Sequence, residues 1–199
     1  MRRKTFRNMI GPVARTLDRV GEWWSMLILR DAFHGLTRFD QFETSLGIAP
    51  NMLTRRLNAL VEAGLLERRR YSERPPRHEY HLTDKGRDFW SVLVALSVYG
   101  NRHFAEEGIA SRLVDAETGK PVNAVLVDRE TGRPIEQSKF KFAAGPAADA
   151  TLRMRMRYAD ERRAKREGRE EWDEYVRLQS TRRAPKRAVS KRAASKRAR

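Results

Sequence analysis

The chain has 199 residues, 40% hydrophobic and 34% charged, enough for one folded domain of ordinary size plus more polar material. It contains no cysteine, which excludes disulfides, thiolate nucleophiles, thiol redox sensing within this chain and cysteine-ligated zinc. The formal net charge of +16 points to an anionic partner, nucleic acid ahead of a membrane surface, and +11 of it falls in residues 151–199.

No run of about 18 apolar residues occurs, and the best candidate, Phe89 to Tyr99, is too short to span a bilayer. The opening MRRKTFRNMIGPVAR is basic without the apolar stretch of a secretory signal. A soluble, cytoplasmic, nucleoid-associated protein without a membrane partner is expected.

Helical periodicity begins at Pro12 and runs through Leu17, Val20, Trp23, Trp24, Leu27, Ile28 and Phe33, with Gly21 placed to break it in two. HGLTRFDQFETSLG predicts a short helix in which Thr37 is the N-cap, Phe39, Phe42 and Leu46 face inward, and Gly47 closes the end. PNMLTRRLNALVEAG predicts the next helix, Pro50 to Ala63, with Gly64 at its C-terminal cap. At about 100° per residue Leu53, Leu57 and Leu60 fall within roughly 60°, while Asn51, Arg55, Asn58 and Glu62 cluster opposite. Ala49 offers no capping side chain, so backbone N–H groups at this helix start are left for water or a phosphate.

Leu65 to Tyr71 and His78 to Leu82 read as strands joined by SERPPR, a hairpin with a basic tip. Thr83 is placed to cap a helix reaching about Phe104. On it Phe89, Leu93 and Leu96 make one apolar face and Trp90, Val94 and Val98 a second. A helix apolar on two sides must bury both, one against its own core and the other against a partner subunit.

LVDAETGKPV (113–122) and LVDRETGRPI (126–135) repeat at an offset of 13 with 7 of 10 positions identical, each reading as strand, glycine turn, strand. AAGPAADA is a linker. Residues 151–179 read as a charged, partly helical segment interrupted at Gly168, and 180–199, with 9 basic and no acidic residues, as a disordered basic tail.

Two helices, a tight turn and a hairpin make the order of a winged helix-turn-helix. The expected class is mainly α with a small β-wing, followed by a β-hairpin-like arm and the basic tail. Asn and Arg pair with adenine and guanine edges in the major groove, so Asn51, Thr54, Arg55 and Asn58 are the candidate base-reading residues. The bland alternative is a solvated helix face. Arg56, Arg68, Arg70, Arg74, Arg77 and His78 are the candidate DNA-backbone contacts, the last five on the wing.

The set GPVARTLDRVGEWWSMLILRDAFHG, TRFDQFETSLGIAPNMLTRRLNALVEAGLLERR and RPPRHEYHLTDKG, with the apolar helix after it, resembles the HxlR-type winged helix-turn-helix transcriptional regulators. The resemblance implies a homodimer through the first helix and the long helix after the wing, here Leu17, Val20, Trp24, Trp90, Val94 and Val98. It also implies that Pro50 to Ala63 is the recognition helix. The family commonly carries a cysteine just before the proline that starts the first helix; Gly11 stands there, so its thiol switch does not carry over. The expected organisation is residues 1–107 as the DNA-binding and dimerisation domain, 108–142 as a β arm, 143–150 as linker, 151–179 as the charged segment and 180–199 as tail.

His34, His78, His81 and His103 lie in different elements without metal or triad spacing, and the DxETG turns lack the regular carboxylates of a calcium loop. No nucleophile, base and orienting group form a constellation, and no glycine-rich phosphate loop is present, so neither an enzyme nor a cofactor is expected. The function expected is a regulator binding an inverted repeat in double-stranded DNA as a homodimer. The alternative is an architectural nucleoid protein dominated by the tail. A small-molecule effector, unidentified by the sequence, is placed near Trp23, Trp24 and the long helix.

Overall fold

The structure, a computed structural model, describes residues 11–182 and divides into two compact units, 1–142 and 143–199. The first unit runs α1 (Pro12–Val20), α2 (Trp23–Phe33), α3 (Phe39–Leu46), α4 (Pro50–Glu62), β1 (Leu66–Glu73), β2 (Pro76–Leu82), α5 (Asp84–Arg87) and α6 (Trp90–His103). Gly21 ends α1 because a Cβ there would meet the Leu17 carbonyl oxygen at 2.3 Å, and the Gly21 N–H donates to that same oxygen at 2.8 Å.

Ile28 and Leu29 of α2, Phe42 of α3, Leu53, Leu57 and Leu60 of α4, and Leu66 and Tyr80 of the sheet make one core. The inward positions expected for Phe39, Phe42 and Leu46 are observed. The α3 cap differs from expectation. Thr37 supplies no capping oxygen; the Gln41 carboxamide oxygen accepts from the N–H groups of Thr37 at 3.0 Å and Arg38 at 2.9 Å, and Arg38 is the N-cap. A carboxamide at the third helical position satisfies two orphan donors at once, which a threonine hydroxyl does not.

β1 and β2 pair antiparallel from Leu66 opposite Leu82 to Glu73 opposite Pro76, with an irregularity at Tyr71. The strands extend beyond the expected ends, so that Ser72, Glu73, Pro76 and Arg77 are strand residues and the turn shrinks to Arg74 and Pro75, joined by a cis peptide bond. A bridge between Arg38 and Glu79, and the Tyr80 N–H donating to the Thr37 carbonyl at 2.7 Å, lay the α2–α3 connection along the free edge of β2.

The helix expected from Thr83 to Phe104 is broken in two. Thr83 caps α5, its hydroxyl accepting from the Gly86 N–H at 3.0 Å, and the chain turns at Asp88 and Phe89 before α6. Phe89 is buried and Leu93 packs on the core, but Leu96, assigned to that face, is exposed. No residue of α6 is buried.

Each TG repeat is a miniature hairpin held by one bridge, Val114 to Pro121 and Val127 to Pro134. Gly119 (φ 67°) and Gly132 (φ 66°) supply the left-handed turn residue. The Asp115 carboxylate accepts from the Thr118 N–H at 2.7 Å and hydroxyl at 2.8 Å, and these bonds hold its carboxyl below the ordinary range. Asp128 does the same with the Thr131 hydroxyl and N–H. The strands expected on either side reduce to single bridged pairs.

In the second unit α7 (Ala150–Arg182) passes through Gly168 without a break, contrary to the interruption expected there. The cost of one helical glycine, about 1 kcal/mol, is spread over a 33-residue element. Most of the segment expected as a disordered tail, 183–199, lies outside the described residues. Among the described residues no helix is long and apolar enough to cross a membrane.

Gly86 is the tightest point between the wing and α5, since a Cβ would stand 2.1 Å from the Leu65 carbonyl oxygen. Gly86→Ala should destabilise the first unit by about 3 kcal/mol or more, because backbone rather than a flexible side chain blocks the added atom. Thermal unfolding followed by circular dichroism reads this; a melting temperature within a degree or two of the parent would show the contact to be relaxed.

Candidate nucleic-acid interface

Pro50 starts α4 with its preset φ, and no side chain caps the helix. Met52 and Leu53 both donate to the Ala49 carbonyl, at 2.9 and 3.0 Å, which leaves the Asn51 N–H outside the helix's own ladder. At the other end Leu65 donates to the Leu60 carbonyl at 2.9 Å while Gly64 takes φ 70°, the left-handed stop expected of it.

Leu53, Leu57 and Leu60 are fully buried against α2 and α3. That fixes the rotation of α4 about its axis and turns Asn51, Thr54, Arg55 and Asn58 to the surface together. Among the described residues no carboxylate pairs with Arg55. The Thr54 hydroxyl donates to the Pro50 carbonyl at 2.9 Å, so Thr54 presents an acceptor lone pair and a methyl group rather than a donor.

Arg56 does not join them. Its guanidinium bonds Glu22 at 2.8 Å and is only 11% exposed, so its assignment as a DNA-backbone contact is corrected to an internal tie between α4 and the start of α2. A second tie involves Asp31, buried in α2, which takes Arg30 Nε at 2.8 Å and the Ser45 hydroxyl of α3 at 2.7 Å. Together they lock α3 and α4 onto α2.

The wing register sorts the arginines. Arg68 and Arg70 lie opposite Tyr80 and His78, on the face that carries Leu66 and Leu82 toward the core. Arg69 takes the other face and is bound by Glu67; Arg70 reaches Glu73 at 2.9 Å. Both pairs are exposed, a situation worth little beyond about 1 kcal/mol, so a phosphate can compete for either arginine. Arg68, Arg74 and Arg77 are exposed, His78 is half-buried, and Arg74 sits at the turn. Arg38, overlooked in the sequence because it precedes a helix, stands over the Tyr71 ring at 5.4 Å and meets Asp40 at 3.1 Å, beside the same surface.

The dimer candidates divide as well. Val20 is 2% exposed inside this chain's own core and is corrected to a core residue. Trp24 is half-buried on that core, whereas Trp23 is 76% exposed. Leu17 and Trp90 are exposed, Trp90 packing at a 48° tilt against Phe33 with 5.1 Å between ring centres, and Val94 and Val98 are half-buried. The exposed large apolar residues of α6 are Trp90, Val92, Leu96 and Tyr99, and of these the periodicity assigned neither Val92 nor Tyr99 to an apolar face.

Residues 19–108 match the HxlR-like helix-turn-helix family. An HTH-type transcriptional regulator of Synechocystis, sll1512, is 36% identical over 109 residues, 54% of this chain and 81% of that protein. The chain belongs to the HxlR-like helix-turn-helix family. The Mycobacterium tuberculosis HTH-type transcriptional regulator Rv3095 is 48% identical over 91 residues, 46% of this chain and 58% of its own length, so this chain spans little more than half of that relative. Of solved structures, a candidate transcription factor from Pseudomonas aeruginosa, PA1374, is 54% identical with a TM-score of 0.55, over 73% of this chain and all but 1% of its own. A second, PA1607, is 40% identical with a TM-score of 0.64 over 71% of this chain and 100% of its own. These two likenesses extend past the HxlR-like domain itself, and with them the winged-helix fold is shown.

Arg55 and Arg56 are adjacent in sequence and opposite in role. Arg56→Ala should lower stability by roughly 1–2 kcal/mol, the buried-pair loss discounted because Glu22 keeps access to water. Arg55→Ala should change stability by no more than about 0.5 kcal/mol. Urea unfolding of the two variants separates them, and equal losses would contradict the geometry.

Proposed function

We propose that this HxlR-like chain is a sequence-specific transcriptional regulator that binds an inverted repeat in double-stranded DNA as a homodimer. The observation that carries the reading is the one-sided exposure of α4, with Asn51, Arg55 and Asn58 in solvent and three leucines fully buried opposite. In this reading α4 lies in the major groove, Asn51 and Asn58 take adenine edges, and Arg55 takes guanine O6 and N7. The Asn51 N–H and the positive end of α4 meet a phosphate. Arg68, Arg74 and Arg77 hold the adjacent backbone and set register without reading sequence.

The dimer reading is supported by α6. An apolar helix with no buried residue costs free energy in water, at about 25 cal/mol for each Å² of apolar surface left wet, and a symmetric copy removes that cost. Leu17, Trp90, Val94 and Val98 are retained as candidates and joined by Trp23, Val92, Leu96 and Tyr99. Two copies of α4 would then present themselves to successive major grooves on one side of the duplex.

The decisive experiment selects the preferred duplex from random DNA and compares variants on it. Arg55→Ala should reduce the ratio of specific to random binding by ten-fold or more, about 1–3 kcal/mol at one base pair. Arg74→Ala should weaken all sequences alike and lower the salt slope by about one. If Arg55→Ala leaves the ratio unchanged, α4 is not reading bases.

Leu96→Asp tests the assembly. Analytical ultracentrifugation should show the parent as a dimer and the variant as a folded monomer with weakened half-site cooperation. A parent that sediments as a monomer at micromolar concentration removes the dimer from the reading.

A further inference from the structure

A cleft of about 320 Å³ opens between the end of α2, the base of the wing and α5, away from the α4 surface and from the Trp23 and Trp24 region where an effector was expected. Its lining divides by chemistry. Ala32, Phe33 and Leu82 are apolar; Arg69, His81 and Arg87 are cationic or protonatable. The wing register explains the convergence, because Arg69 and His81 occupy the strand face opposite to that of Arg68 and Tyr80. Arg87 comes from the last residue of α5, held in place by donating to the Leu82 carbonyl at 2.6 Å and to Asp84.

We propose that this cleft binds a small organic monocarboxylate, its apolar body against Phe33, Ala32 and Leu82 and its headgroup shared between Arg69 and Arg87. A guanidinium has five N–H donors in a planar fork that suits a carboxylate. Glu67 occupies part of the Arg69 fork, and Asp84 with the Leu82 carbonyl part of the Arg87 fork, so donors are left on both. Glu67 and Asp84 are exposed partners, and such pairs are worth little enough for a headgroup to share them.

Charge argues for one negative charge rather than two. Glu67 and Asp84 already pair with Arg69 and Arg87, so a second negative charge on the ligand would meet these carboxylates with no further guanidinium to offset it. Volume argues for a small body, since 320 Å³ is at the lower end of ligand pockets. The apolar half of the lining argues against an inorganic anion, which would leave Phe33 and Leu82 wet.

The cleft joins the end of α2, the wing and α5. Phe33 packs at a tilt against Trp90, the first residue of α6, while Arg69 and His81 belong to the wing and Arg87 to α5. Control of DNA binding through this cleft rests on the regulator reading; occupancy does not, and the test reads occupancy alone.

Isothermal titration of the full-length chain with benzoate and with its neutral isostere benzamide is the test. Benzoate should bind saturably and at least ten-fold more tightly than benzamide. Arg69→Gln should weaken benzoate at least five-fold with an unchanged melting temperature, and Arg69→Lys should recover part of the loss. Equal affinity for benzamide, absence of saturation, or parent-like benzoate binding by Arg69→Gln would overturn the proposal, the last by placing the anion on another basic surface. Phe33→Ala should weaken both ligands in proportion, and benzoate affinity insensitive to it would remove the apolar half of the site.

Discussion

Three successive carbonyls just past the end of α4 fasten the start of α5 to the base of the wing. Lys85 donates to Ala63 O at 2.6 Å, the Thr83 hydroxyl to Gly64 O at 2.7 Å, and the Thr83 N–H to Leu65 O at 3.1 Å. Carbonyls beyond the last helical turn have no partner in the helix ladder, and burying one unpaired costs about 1–3 kcal/mol. The four residues Thr83 to Gly86 meet that demand while starting α5, and Gly86 is the only residue type that lets them come close enough. The helix that faces outward, the wing and the turn into α6 are thus anchored at one point, and the cleft beneath the wing exists because α5 is pinned there.

The same comparison of magnitudes shows what sets the orientation of α4. Each buried leucine contributes about 1.5–3 kcal/mol, so Leu53, Leu57 and Leu60 together exceed any single polar contact the helix makes. Arg56 with Glu22 adds direction rather than bulk energy, because a paired guanidinium accepts only a narrow range of angles. The leucines choose which side faces in, and the ion pair then limits how far α4 can slide along α2. A surface that must present several side chains in register needs both.

Much of this was legible in the residues, and the failures share a cause. The leucine stripe, the glycine stops at Gly47 and Gly64 and the paired strands follow from local stereochemistry, which a sequence displays directly. Arg56 suggests a DNA role by its charge, but on the same helical wheel it lies roughly 60° from Leu53, on the flank of the leucine stripe where a long side chain can still fold inward. The adjacent tryptophans are equal in hydrophobicity; only the roughly 100° between them, with Ile28 marking the inner side, separates Trp24 from Trp23. Gln41 displaced Thr37 because capping is a competition among nearby acceptors. The cleft left no local signal, since its walls come from segments separated by about fifty residues and meet only through the strand register.

The long C-terminal helix has a consequence of its own. At 1.5 Å per residue its 33 residues form a rod of roughly 50 Å, comparable to the axial length of roughly 15 base pairs. Its basic residues crowd the first half, from Arg153 to Arg169, and its acidic residues gather at Glu170 to Glu174. The positive charge of α7 is therefore loaded on the half of the rod nearest the linker. In sequence, Glu170, Glu171, Asp173 and Glu174 separate that basic stretch from the lysine- and arginine-rich residues that follow α7.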